Sequence, residues 1–130
     1  MFMEKKIRVL VVDDQDILRD GVTRMLNRQP DLEVVGEASE GRTAVQLTHQ
    51  LLPDVVIMDV SMPVMNGIES TRAIHAELPD VQVIGHSLLD EVEGGVAMRQ
   101  AGAVDYVYKL APLTALIAAI RACSSGSALR

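Results

Sequence analysis

Short apolar runs alternate with helical stretches five times along this chain, and that alternation constrains the fold more than any other feature. The runs are Ile7 to Val12, Leu32 to Ala38, Val55 to Met58, Val81 to His86 and Asp105 to Tyr108. Runs this short, rich in branched apolar residues, read as strands buried on both faces. Helical periodicity fills the gaps, over Gln15 to Gln29, Glu40 to Leu51, Gly67 to Leu78 and Asp90 to Gln100, and from Pro112 onward. Strand then helix, repeated, predicts an α/β fold with one parallel sheet, helices on both faces and right-handed crossovers. The common five-strand solution is the flavodoxin-like order 2-1-3-4-5.

The helices carry their own signals. Ile17, Leu18, Val22, Met25 and Leu26 fall on one face of the first, with Arg19, Asp20, Arg24 and Arg28 turned away. Ser39 is the expected N-cap of the second, and Ala44, Val45, Thr48, Leu51 and Leu52 form its stripe. Ile68, Thr71, Ile74 and Leu78 point inward on the third; Leu113, Leu116, Ile117 and Ile120 do so on the last. Gly94-Gly95 interrupts the fourth at about 1 kcal/mol per glycine relative to alanine. With Gly85 inside the fourth strand, these glycines predict the softest region of the domain.

A length of 130 residues suits one domain, with residues 1–6 a loose start, 7–123 the domain and 124–130, with its Ser/Gly composition, the start of a linker or tail. A net charge of −6 argues against direct nucleic-acid binding, which needs a basic footprint. The single cysteine, Cys123, excludes an internal disulfide and fits a reducing, cytoplasmic setting. No apolar run reaches the length of a membrane span.

Parallel strands all end at one edge, the edge where open α/β sheets bind ligands. Asp13 and Asp14 close the first strand, Asp59 the third, Ser87 the fourth and Lys109 the fifth. The strand order makes the first and third neighbours, so three carboxylates, a hydroxyl and an ammonium converge. Carboxylates so placed repel unless they share a cation; oxygen ligands with room for water suit Mg²⁺. A carboxylate beside that metal, with a lysine opposite, is poised to attack a phosphoryl group.

These motifs, Val11-Val12-Asp13-Asp14, Met58-Asp59-Val60-Ser61-Met62-Pro63 with Asn66-Gly67, Ser87, and Gly102-Ala103 through Tyr106-Val107-Tyr108-Lys109, resemble those of two-component response-regulator receiver domains. The resemblance spans residues 6–122 and is closest in style to regulators with a LuxR-type helix-turn-helix. It implies that Asp59 accepts a phosphoryl group from a sensor histidine kinase. Mg²⁺ would be held by Asp14 and Asp59, by the backbone carbonyl of Ser61, and by Asp13 through water. Lys109 would pair with Asp59 and then with the phosphoryl oxygens. Ser87 would swing toward the new group and Tyr106 would turn inward. The output surface, and a homodimer interface, would be the fourth helix, fifth strand and fifth helix, from Asp90 to Ala122. DNA would be reached only through an output domain absent from this chain. Such a domain is a signalling switch, not an enzyme, that assists its own phosphoryl transfer and loss.

Three positions depart from the family pattern. Gly85-His86 replaces branched apolar residues, Leu88 follows Ser87 where a small residue is common, and Leu110 follows Lys109 where proline is frequent, often after a cis bond. Rival readings differ in chemistry. A flavodoxin needs a hydroxyl-rich phosphate loop, whereas Asp13-Asp14-Gln15-Asp16 repels phosphate. A haloacid-dehalogenase-like phosphatase needs an aspartate two residues past its nucleophile, where this chain has Ser61. A receiver-like module that only docks a partner is the third.

Overall fold

The structure is a computed structural model that describes residues 5–128, with side chains through residue 124. In order it comprises β1 (Ile7–Val12), α1 (Asp16–Asn27), β2 (Leu32–Ala38), α2 (Gly41–Leu51) and β3 (Val55–Met58). There follow α3 (Gly67–Glu77), β4 (Gln82–Ser87), a π-helical turn (Glu91–Gly95), α4 (Val96–Ala101), β5 (Asp105–Tyr108) and α5 (Leu113–Ala128). The strands form one sheet in the order β2-β1-β3-β4-β5. Every pairing is parallel, and a bulge shifts the β1–β2 register between Val9 and Leu10. The predicted class and strand order are both present.

Strand alternation sends side chains to two cores. Val9, Val11, Ile57 and Ile84 meet Leu26 of α1 and Leu116 and Ile120 of α5 on one face. Leu10, Val56, Met58 and Val83 meet Ala44 of α2, Ile74 of α3 and Met98 of α4 on the other. With all four residues of β3 buried, the central strand has no solvent face.

Several local expectations are corrected. Ile17 is 88 % exposed, and Leu18 and Met25 are also exposed; on α1 only Leu26 is fully buried. The helix begins past the end of β1, so its first turn, with Ile17 and Leu18, overhangs the rim with no strand beneath it. Arg19, expected in solvent, is instead largely covered. Glu40, not Ser39, caps α2 by accepting from the Thr43 amide at 2.9 Å. Leu52 leaves the α2 stripe, since it adopts the left-handed conformation that ends the helix and is exposed. β4 lies one residue later than expected, which puts Ser87 inside the strand. The fourth helix splits at its glycines into a π-turn and a short α4, with the Asp90 carboxylate capping the turn. Helix α5 continues through Ser124 to Ala128, where composition reads a linker. Residues 1–4 and 129–130, parts of the expected loose start and tail, lie outside the described residues. No described peptide bond is cis, so Lys109–Leu110 is trans.

Candidate functional site

Strand ends and the loops beyond them build an acidic hollow. Asp13 leaves β1 with its amide donating to Ala38 O (3.0 Å), which ties it to the end of β2. Its Oδ1 accepts from the Gln15 amide at 2.9 Å, which closes the turn into α1. Asp59 leaves β3 with its amide on Val12 O at 3.1 Å. Gly67 begins α3 directly against it, and a β-carbon there would overlap the Asp59 carbonyl. Only glycine allows that close approach. Asn66 completes the corner with a capping box to Glu69.

Asp13 and Asp59 are buried and Asp14 is exposed. One carboxylate oxygen from each lies within 4.8 Å of those of the other two. Lys109 crosses from the end of β5 and places Nζ 2.7 Å from Asp13 Oδ2 and 3.4 Å from Asp59 Oδ2. The tighter partner is Asp13, which the sequence reading, pairing Lys109 with Asp59, did not anticipate. Burial lifts the Asp59 carboxyl to about 6 against the pull of Lys109, and the negative charges of Asp13 and Asp14 add to the rise. Lys109 thus offsets only part of the cost of burying this charge. Three hard oxygen donors, one of them open to solvent, match a divalent cation that keeps several waters.

Ser87 is buried beside the hollow, and its Oγ accepts from the Leu89 amide at 3.2 Å. Tyr106 donates its hydroxyl to Leu89 O. Its ring lies over Gly85, where a β-carbon would stand 2.5 Å from Cδ1, and against Gly94, where one would stand 2.7 Å from the hydroxyl. Sequence reading flagged Gly85 and Gly94 as weak points; the missing β-carbons are room for this ring. Ser61 is exposed in the loop after β3. His86 is buried on the opposite side of β4 and held neutral, its pKa lowered to about 4 by burial and by Lys109. A cavity of about 330 Å³ opens beside it, reaching Asp13 and Lys109 and lined among others by the exposed apolar side chains of Leu18, Leu88 and Leu110.

Arg19 is the residue at this corner that sequence reasoning missed. It sits one turn into α1, and its guanidinium reaches Asp13 O at 2.6 Å. The periodicity of α1 gave no sign of it, because besides Asp16 of α1 itself its partners are the Asp13 carbonyl past the end of β1 and Glu37 of β2.

The model of the response regulator receiver domain matches residues 9–121. The chain is 42 % identical over 120 residues to the response regulator GacA of Pseudomonas aeruginosa, covering 92 % of this chain and 56 % of GacA. It is 52 % identical over 106 residues to a protein-glutamate methylesterase/protein-glutamine glutaminase of a Nocardioides species, covering 79 % of this chain but 29 % of that protein. Among solved structures it superposes with a TM-score of 0.87 and 31 % identity on a two-component response regulator of the LuxR family from Aurantimonas, covering 94 % of this chain and 87 % of that one. This chain thus spans about half the length of the curated regulators it matches, and less of the methylesterase. What these proteins share with it is the segment that forms the acidic hollow, and by that segment the chain belongs to the response regulator receiver domain family.

Proposed function

We propose that Asp59 is the phosphoacceptor of a signalling switch and that the hollow works with Mg²⁺. The observation that carries this reading is the buried Asp59 carboxylate, within 4.8 Å of two other carboxylates and 3.4 Å from an ammonium. Mg²⁺, when bound, would neutralise the carboxylates and the oxygens of an incoming phosphoryl group. Asp14 and Asp59 would hold it directly, Ser61 through its backbone carbonyl and Asp13 through water. An Asp59 oxygen then attacks phosphorus in line with the breaking P–N bond of a kinase phosphohistidine, and the freed imidazole keeps the bond's electron pair. Lys109 follows the negative charge from the carboxylates to the phosphoryl oxygens. Ser87 accepts from Leu89 N through its oxygen and would turn its hydroxyl hydrogen to the new group.

The change leaves the site through Leu89, which both Ser87 and Tyr106 grip. Tyr106 already occupies its glycine-lined slot, so on this reading it transmits a pull on Leu89 to the π-turn and α4 rather than making a large swing. The surface from Asp90 to Ala122 is then the output face and the place for a homodimer. The exposed apolar side chains of Leu18, Leu88 and Leu110 give a kinase a dry surface beside Asp13 and Lys109. Relatives named as transcriptional regulatory proteins and about twice as long support a DNA-binding output domain in the whole protein. Acetyl phosphate with Mg²⁺ should add one phosphoryl group to the protein, seen by mass spectrometry, and none without the metal. Labelling that survives in Asp59→Asn would overturn the assignment.

A further inference from the structure

Arg19 ties together three segments that meet at the acidic hollow. Nη1 donates to the backbone carbonyl of Asp13 at 2.6 Å, Nη2 to Asp16 Oδ1 at 2.8 Å, and Nε to Glu37 Oε1 at 3.2 Å. These acceptors belong to the exit of β1, the first residue of α1 and the end of β2. Only 16 % of the arginine side chain is exposed. The planar fork with fixed donor directions is what lets one side chain serve three acceptors; a lysine ammonium cannot reproduce it.

The carbonyl it holds is a particular one. Asp13 O lies in the same rigid plane as the amide nitrogen of Asp14. Fixing that oxygen fixes the plane, and the plane sets the direction from which the Asp14 side chain departs. The Asp13 carboxylate is already pinned by Gln15 N and Lys109, and its amide by Ala38 O. Asp14 is the exposed member of the three, and the structure gives its carboxylate no hydrogen-bond partner among the described residues. Its placement therefore depends on the backbone before it.

We propose that Arg19 is a positioning residue for divalent-cation binding: by clamping the Asp13–Asp14 peptide plane it presents the Asp14 carboxylate to the metal. This rests on the Mg²⁺ reading above. The sign of the effect separates it from simple electrostatics. Removing a cation next to a metal site leaves Asp16 and Glu37 unpaired and strengthens the attraction of Mg²⁺; losing the clamp weakens it.

The test is a Mg²⁺ titration of the chain followed by the amide NMR shifts of Asp14 and Asp59, for the wild type, Arg19→Met and Arg19→Lys. Thermal unfolding of each variant shows that it is folded at the titration temperature. Losing a partner that orients a ligand weakens metal binding by about 10-fold, which is expected for Arg19→Met. Arg19→Lys, with the charge but not the fork, should still bind at least about 3-fold more weakly than wild type. Arg19→Lys, which keeps the charge, carries the test if Arg19→Met fails to fold. Equal or tighter Mg²⁺ binding by folded Arg19 variants overturns the proposal, as does a lower melting temperature with unchanged affinity. A wild type that shows no Mg²⁺-dependent shift at Asp14 and Asp59 instead overturns the metal reading itself.

Discussion

Two buried titratable side chains, Asp59 and His86, pull the stability of this domain in opposite directions with pH. The Asp59 carboxyl is raised from 3.8 to about 6, chiefly by burial, so in metal-free protein the folded state keeps a proton that the unfolded chain has lost. Stability therefore falls as pH rises through that window. His86 is lowered from 6.5 to about 4, again chiefly by burial, so the unfolded chain takes up a proton that the folded state refuses, and stability rises with pH over nearly the same range. The two slopes offset each other. Removing Asp59 as Asp59→Asn should gain about 2 kcal/mol over wild type in urea unfolding at about pH 7, and little at about pH 4. His86→Gln should show the reverse trend, gaining relative to wild type as the solution is acidified. Variant and wild-type profiles that run parallel would refute both assignments. Which residues reach the hollow was legible in the sequence, because Asp13, Asp14, Asp59, Ser87 and Lys109 each follow or end a strand and parallel strands share an edge. That Lys109 prefers Asp13, 96 positions away, and that Arg19 bends back across the turn to the Asp13 carbonyl, depends on side-chain paths that no local periodicity records.

At the scale of elements, the corner of β4, the π-turn and β5 is built around one aromatic ring. Gly85 and Gly94 leave the volume that Tyr106 fills, and Leu89 accepts its hydroxyl. Gly94→Ala should cost about 1–3 kcal/mol by crowding the ring. In a Tyr106→Ala background the same change should be nearly free, and the double-mutant cycle should return at least about 0.5 kcal/mol of coupling. Additive costs would mean that the glycine serves the turn and not the ring. Amide exchange in the π-turn, Glu91–Gly95, should be faster than in β1, whose last four residues are buried and which pairs on both sides. The existence and type of the main elements were readable from periodicity, apart from the division of the fourth helix. Where each meets the sheet was not: α1 keeps an apolar stripe over its first turn although the sheet stops short of it, so Ile17 and Leu18 read as core and lie on the rim.

Across the whole molecule, Lys109 joins three of the five strands through its charge, β5 by its backbone and β1 and β3 by the carboxylates at their ends. Replacing it by methionine leaves two buried carboxylates without their cation. Lys109→Met should cost about 3 kcal/mol at about pH 7, and less at about pH 4, where protonation relieves the repulsion. Mg²⁺ should restore part of the loss in proportion to its binding, and a melting temperature that ignores both acid and metal would argue against this role. The strand order was inferable because five alternating pairs leave few unknotted, right-handed solutions. The lysine and the aspartate it holds most closely are separated by 96 positions along the polymer. During synthesis both carboxylates are translated before the ammonium that balances them, and β5 must emerge from the ribosome before they can meet. The acidic hollow therefore cannot be assembled until almost the entire domain has been made, which ties completion of the site to completion of the fold.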